Sequence, residues 1–251
     1  MSYPTGTSNS VTWNTTIARY NLDNPTYPRF GSNIILSGAF TPPYSSLNKK
    51  IDEESTDQEK YKWLEYHKWM FDASIYTPLF GSTKLVASAR AHMGFLGSYS
   101  SKIGVIPLER FVMGGDGMSM NNFALGQEII GLRGYENQSI TPGRDSRGTA
   151  DPEPYGGIVY NKYVMEVRYL VSPNPSATIF VLAFAEAGNN WGSYKDFNPY
   201  DLNKSAGAGA RIFMPAFGLL GIDWGYGFDA IPGTSQRSGS QFHFTIGQQI
   251  R

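Results

Sequence analysis

Leu219-Leu220-Gly221-Ile222-Asp223-Trp224-Gly225-Tyr226-Gly227-Phe228 alternates without a break. In an extended chain successive side chains point to opposite faces. Leu220, Ile222, Trp224, Tyr226 and Phe228 therefore share one face, and Gly221, Asp223, Gly225 and Gly227 the other. Two architectures satisfy such a strand. A soluble β-sandwich turns the bulky face to its core. A transmembrane barrel turns it to lipid and leaves the small or polar face to a wet lumen.

Working outward, eight further segments have strand character: 11–21, 32–41, 61–77, 83–97, 158–170, 178–187, 205–214 and 241–249. In 83–97, Leu85, Ala87, Ala89, Ala91 and Met93 oppose Lys84, Val86, Ser88, Arg90 and His92. In 158–170, Val159, Tyr163, Met165, Val167 and Tyr169 oppose Lys162, Glu166 and Arg168. The segment 178–187 is apolar on both faces, and in 241–249 Phe242, Phe244 and Ile246 oppose Gln241, His243, Thr245 and Gly247. Proline and glycine clusters such as Pro42-Pro43, Pro78 to Ser82 and Ser172 to Ser176 separate the segments, since proline cannot donate to a ladder. No helix with convincing period and caps is expected.

The connections alternate in length. Those after the first, third, fifth and seventh segments are short, and those after the second, fourth, sixth and eighth are longer. Short turns at one rim and long loops at the other is a habit of outer-membrane barrels, and a sandwich has no reason for it. The last strand then ends on the short-turn, periplasmic side. The stretch 98–157, with little regular period, becomes a long extracellular loop folding back into the lumen; a loop of that length in a compact domain is functional or disordered. On this reading Trp13, Trp69, Trp224, Tyr226, Phe242 and Phe244 face lipid, while Asp223, His243, Arg90 and Lys84 face the lumen.

Composition narrows the chemistry. Of 251 residues 14% are aromatic and 28 are glycine, a mixture that favours strands and tight turns over helices. Lys+Arg and Asp+Glu both number 21, so no charge imbalance points to nucleic acid. The absence of cysteine excludes disulfides and thiolate ligands. No apolar run approaches the ~20 residues of a membrane helix, and no signal peptide is expected at residues 1–4. His67, His92 and His243 each stand alone, without metal-ligand spacing. Gly114-Gly115-Asp116-Gly117 lacks the Gly-Lys-Ser/Thr ending of a nucleotide loop, and no Gly-x-Ser-x-Gly elbow occurs. Neither an enzyme nor a cofactor or metal is expected.

One residue in the long loop is singled out by its neighbours. Arg133 stands in Gly131-Leu132-Arg133-Gly134-Tyr135. Flanking glycines let the backbone turn tightly, so a guanidinium can fork onto carboxylates. Strand parity offers Glu166, and the strand ending Phe184-Ala185-Glu186-Ala187-Gly188 offers Glu186. The expectation is that Arg133 is carried back into the barrel and contacts one or both acids; the alternative is a solvated loop arginine.

At these residues a resemblance becomes specific. Gly131 to Tyr135 resembles the Val-Arg-Gly-Phe/Tyr motif of the BamA family of outer-membrane assembly factors, which also includes two-partner secretion transporters. Phe184 to Gly188 resembles its Phe-x-Asp-x-Gly motif, with Glu186 in place of aspartate. The stretch around Gly221, Asp223 and Gly225 is similar to its penultimate-strand motif, and Phe242, Phe244, Ile246 and Gly247 to its C-terminal strand. Tyr27 to Ser32 is also similar, and the likeness runs from about residue 11 to the end, although Ile250-Arg251 stands where a terminal aromatic is usual.

The resemblance implies an all-β transmembrane antiparallel barrel of sixteen strands preceded by POTRA domains, of which this chain holds about nine C-terminal strands and no POTRA domain. It implies the outer membrane of a Gram-negative bacterium, and insertion of client β-barrel proteins through a lateral seam beside the last strand, where Gly247 weakens the ladder. Outer-membrane lipid, accessory lipoproteins and periplasmic subunits would be partners. A two-partner secretion transporter or a passive pore on the same barrel is the alternative. Unpaired strand edges in hydrocarbon cost several kcal/mol per group. The expectation is therefore a fragment or split chain whose remaining strands come from another chain or segment.

Overall fold

The computed structural model describes residues 7–47, 54–117, 127–144 and 155–246. Nine long strands form one antiparallel sheet: β1 (Trp13–Leu22), β2 (Gly31–Phe40), β3 (His67–Pro78), β4 (Leu85–Gly97), then β7 (Val159–Asn174), β8 (Ala177–Trp191), β9 (Asn203–Met214), β10 (Gly218–Ala230) and β11 (Arg237–Ile246). Each pairs with its neighbour in sequence, which is a plain up-and-down meander. Two short strands inside the long loop, β5 (Val112–Met113) and β6 (Ile129–Ile130), pair with each other in parallel. Among the described residues β1 and β11 each have one strand partner.

Alternation decides which face is buried. On β7 Val164, Glu166 and Arg168 are buried and Met165, Val167 and Tyr169 exposed; on β8 Phe180, Leu182, Phe184 and Glu186 are buried between exposed Val181, Ala183 and Ala185. The exposed face is apolar: Trp13, Ile17, Trp69, Trp224, Phe242 and Phe244 lie on it. The protected face carries Asp223, His243, Glu166, Glu186 and Arg211. Bulky apolar side chains outside and charged ones inside is the inverse of a soluble sandwich and the arrangement of a membrane barrel.

Two hydrophobic cores join the loops to the sheet. The larger lies at the long-loop end. There Leu64, Tyr66, Ile106, Phe111, Met113, Ile130, Leu132 and Tyr135 from the loops pack with Leu96, Val159, Tyr160 and Trp191 from the ends of β4, β7 and β8. The smaller, at the short-turn end, joins Tyr27, Tyr76, Val86, Phe180, Leu182 and Phe184. Tyr27 enters it because the β1–β2 connection folds inward. Asp23 accepts the amides of Arg29 and Phe30, and Asn24 those of Thr26 and Tyr27. The Tyr27 hydroxyl donates to the carbonyls of Lys84 at 2.8 Å and Arg168 at 3.1 Å, while its ring meets Phe180 edge-on at 5.2 Å.

Several expectations are corrected. The third strand begins at His67, not near 61, because residues 61–66 are spent in the loop core, with Thr41 and Tyr66 bonded backbone to side chain. β7 and β8 extend beyond 158–170 and 178–187 to Asn174 and Trp191. Two one-turn helices, α1 (Tyr44–Leu47) and α2 (Asp57–Lys60), occur where none was expected; four residues show no period, and buried Glu65 holds α1 through Ser45. The loop asymmetry fails at the last long connection, since 231–236 is shorter than 23–30 and no longer than 79–84. Lys84 is exposed in the bend before β4 rather than lumenal, and Gly247 lies outside the described residues.

Candidate functional site

The long loop returns to the wall in a defined way. The β5–β6 pair brings residues 112–113 beside 129–130, and Gly115 exchanges backbone hydrogen bonds with Leu132 at 3.2 and 2.9 Å. Leu132 buries itself in the loop core, which leaves the next residue, Arg133, pointing at the strands. Gly134 follows with φ of +85°, where a Cβ would stand 2.9 Å from the Ser205 Cβ and from the Tyr226 carbonyl carbon. Only glycine fits there.

Arg133 is fully buried and meets three carboxylates from three strands. Its backbone amide donates to Glu186 Oε2 at 2.8 Å and its Nε to Glu186 Oε1 at 2.9 Å. Nη2 lies 2.7 Å from Glu166 Oε1, and Nη1 3.5 Å from Asp223 Oδ1. The Phe184 ring closes the face of the guanidinium, 3.6 Å from Cζ to the ring centroid. Burial opposes charge on Arg133, but Glu186, Glu166 and Asp223 outweigh it and hold its pKa above the ordinary arginine value.

Each acid is shared. Glu166 also takes Arg90 at 2.9 Å and, on its other oxygen, Arg168 at 2.6 Å. Glu186 has Lys162 at 3.6 Å. Asp223 accepts Arg211 bidentately, at 2.9 and 2.6 Å. Charge-assisted forks of this kind fix geometry as well as energy. Five cations thus surround three carboxylates, and none of the three is left without at least two cations.

Glycines on β10 make room for the loop tip. A Cβ on Gly225 would stand 2.8 Å from the Gly134 nitrogen, and one on Gly227 would stand 2.5 Å from the Gly134 oxygen. A Cβ on Gly221 would strike the Arg211 side chain at 2.7 Å, so Gly221 is the gap through which Arg211 reaches Asp223. Tyr135 then seals the tip: its hydroxyl donates to the Lys204 carbonyl at 2.8 Å, beside Asp229. On the last described strand, His243 Nε2 accepts the Gly134 amide at 2.8 Å.

Of the residues singled out in the sequence, the structure brings together Gly131 to Tyr135, Glu166, Glu186, Asp223, Gly221 and Gly225. It does not bring Phe242, Phe244 or Ile246 to this site; they lie on the opposite, exposed face of β11. Sequence reasoning missed Arg90, Lys162, Arg168 and Arg211 as partners, along with Phe184, Asp229 and His243. Arg211 left one signal: the short turn at residues 215–217 sets it opposite Gly221, diagonal to Asp223. The loop contacts left none, because nothing local fixes where a long loop lands.

Comparison with known proteins agrees with the fold. The structure of BamA from Haemophilus ducreyi lacking POTRA domains 1–3 superposes with a TM-score of 0.63 at 18% identity, over 94% of this chain and 42% of that one. At that identity the likeness concerns the fold, and the chain spans less than half the length of that structure. A family model described as the Omp85 superfamily domain matches residues 2–250. The chain belongs to the Omp85 superfamily.

Proposed function

We propose that this chain is part of an outer-membrane barrel that folds and inserts other β-barrel proteins into the outer membrane of a Gram-negative bacterium, without covalent chemistry. The observation that carries this reading is the loop tip bound across β7, β8, β10 and β11, the last described strand. A docked loop of this kind props the wall from inside. In a barrel completed by further strands β11 borders the seam, and opening of that seam would let a client strand add to its edge by β-augmentation. Lipid, client barrels, accessory lipoproteins and periplasmic subunits are the partners this role requires, with further strands completing the barrel.

A passive pore on the same barrel is less well supported. The loop core built on Phe111, Met113, Leu132 and Tyr135 packs over the long-loop ends of β4, β7 and β8, where a permanent conduit would have to open. The test is reconstitution of the full-length gene product in liposomes with an unfolded client barrel. Faster client folding than in protein-free liposomes is expected, with low resting conductance in a planar bilayer. Client folding at the protein-free rate would refute the assembly role, and steady conductance with no effect on clients would favour the pore.

A further inference from the structure

The loop tip is tied to β7, β8 and β10 by charge, but to β11 by one neutral hydrogen bond. The Gly134 amide donates to His243 Nε2 at 2.8 Å. Both partners are enclosed: His243 is 5% exposed, and a Cβ on Gly225 would stand 2.8 Å from the same amide nitrogen. The backbone of the tip is therefore pressed onto β10, and its amide is aimed past that strand at the imidazole. Across the ladder His243 is the register partner of Asp223, so the ring stands on the wall row that Arg133 and Arg211 already bind.

The chemistry of this bond differs from that of every other loop contact described. An imidazole nitrogen accepts a hydrogen bond only while unprotonated; once protonated it becomes a donor and faces the Gly134 N–H with a like group. The charged groups bearing on the ring are Asp116 and Arg133 from the loop, Asp223 from β10 and Glu186 from β8. Loss of the bond would leave β11 held by its β10 ladder, since β10 is its one strand neighbour among the described residues.

We propose that His243 is a positioning residue that latches the last described strand to the loop tip, so that the seat of the loop sets how readily the seam beside β11 opens. This rests on the seam reading given under Proposed function and adds the link between lock and seam.

The test compares His243→Leu and His243→Gln in the full-length protein in lipid nanodiscs, by amide hydrogen exchange at residues 241–246. The leucine variant strands a buried donor, so exchange there should rise about tenfold, while the glutamine carbonyl restores an acceptor and should keep exchange near wild type. Amides of β8 and β9 should not change in either. Unchanged exchange in His243→Leu, or a glutamine variant as loose as the leucine one, would overturn the latch. Should the leucine variant unfold more widely, a glutamine variant looser at 241–246 than the wild type overturns it instead. Client folding is measured on the same samples. A loosened strand with unchanged client rates would sink the seam reading and leave the latch standing.

Discussion

Arg133 and Glu186 meet twice: the backbone amide of the arginine donates to Oε2 at 2.8 Å and its Nε to Oε1 at 2.9 Å. One carboxylate thus fixes both the main chain and the side chain of the loop tip. Glutamate suits this because its reach lets the carboxylate cover the backbone amide and the guanidinium together, and Lys162 approaches the same oxygen from the wall at 3.6 Å.

Glu186→Ala should cost about 3–5 kcal/mol, the range for breaking a buried ion pair. Glu166→Ala should cost more. It takes a carboxylate from three guanidiniums, of Arg90, Arg133 and Arg168, whereas Glu186 serves Arg133 and Lys162. Thermal midpoints of the two variants in detergent give the order. A Glu186 variant as unstable as, or less stable than, the Glu166 one would mean that the shared carboxylate is not the centre of the network.

Gly225→Ala tests the seating of the loop tip on β10. The added methyl would stand 2.8 Å from the Gly134 nitrogen and 3.0 Å from its Cα, both backbone atoms that cannot swing aside. The expected penalty is about 1–3 kcal/mol, as for other overpacked sites. It should appear as faster protease cleavage within the long loop while the β-sheet circular dichroism stays intact. Cleavage at the wild-type rate would show that the tip is not pressed against this strand.

The inward turn at 23–30 should be acid-sensitive. Burial pushes the Asp23 carboxyl up, but the Arg29 amide and guanidinium and the Phe30 amide outweigh it, and its pKa lies below the ordinary value of 3.8. A group with a lowered folded pKa contributes stability above its unfolded pKa and loses that contribution as pH falls through the folded value. The turn should therefore hold at pH 5 and open below about pH 4. Pepsin cleavage near Leu22 and Phe30, normalised to an unfolded substrate, should rise in that window in the wild type. Asp23→Asn should already be cleaved at pH 5; a resistant asparagine variant would rule out the carboxylate as the tie.

Brominated lipids should separate the tryptophans. Trp69 and Trp224 stand exposed on the apolar outer face, and Trp191 is buried in the loop core. In single-tryptophan variants the first two should be quenched and Trp191 should not. Quenching of Trp224 no stronger than that of Trp191 would overturn the lipid contact assigned to the outer face.

What the sequence determined by itself is the set of properties that follow from local geometry. Leu220 to Phe228 declared its two faces because adjacent Cβ atoms in a strand must point apart, and the same parity set Glu166 and Asp223 on the inner wall before any partner was known. Gly131 and Gly134 announced a tight turn around Arg133, and the structure gives Gly134 a φ of +85°. The tertiary structure alone decided what these residues touch. Arg211 reaches Asp223, and His243 the Gly134 amide, only once the sheet register and the landing point of a long loop are set together. The two-residue strands β5 and β6 and the single-turn helices are too short to carry a period. The fold of the turn that buries Tyr27 depends on carbonyls of Lys84 and Arg168, 57 and 141 residues away in the chain. Period is a property of neighbouring residues, whereas the path of a loop is set by the distant surfaces that bury it.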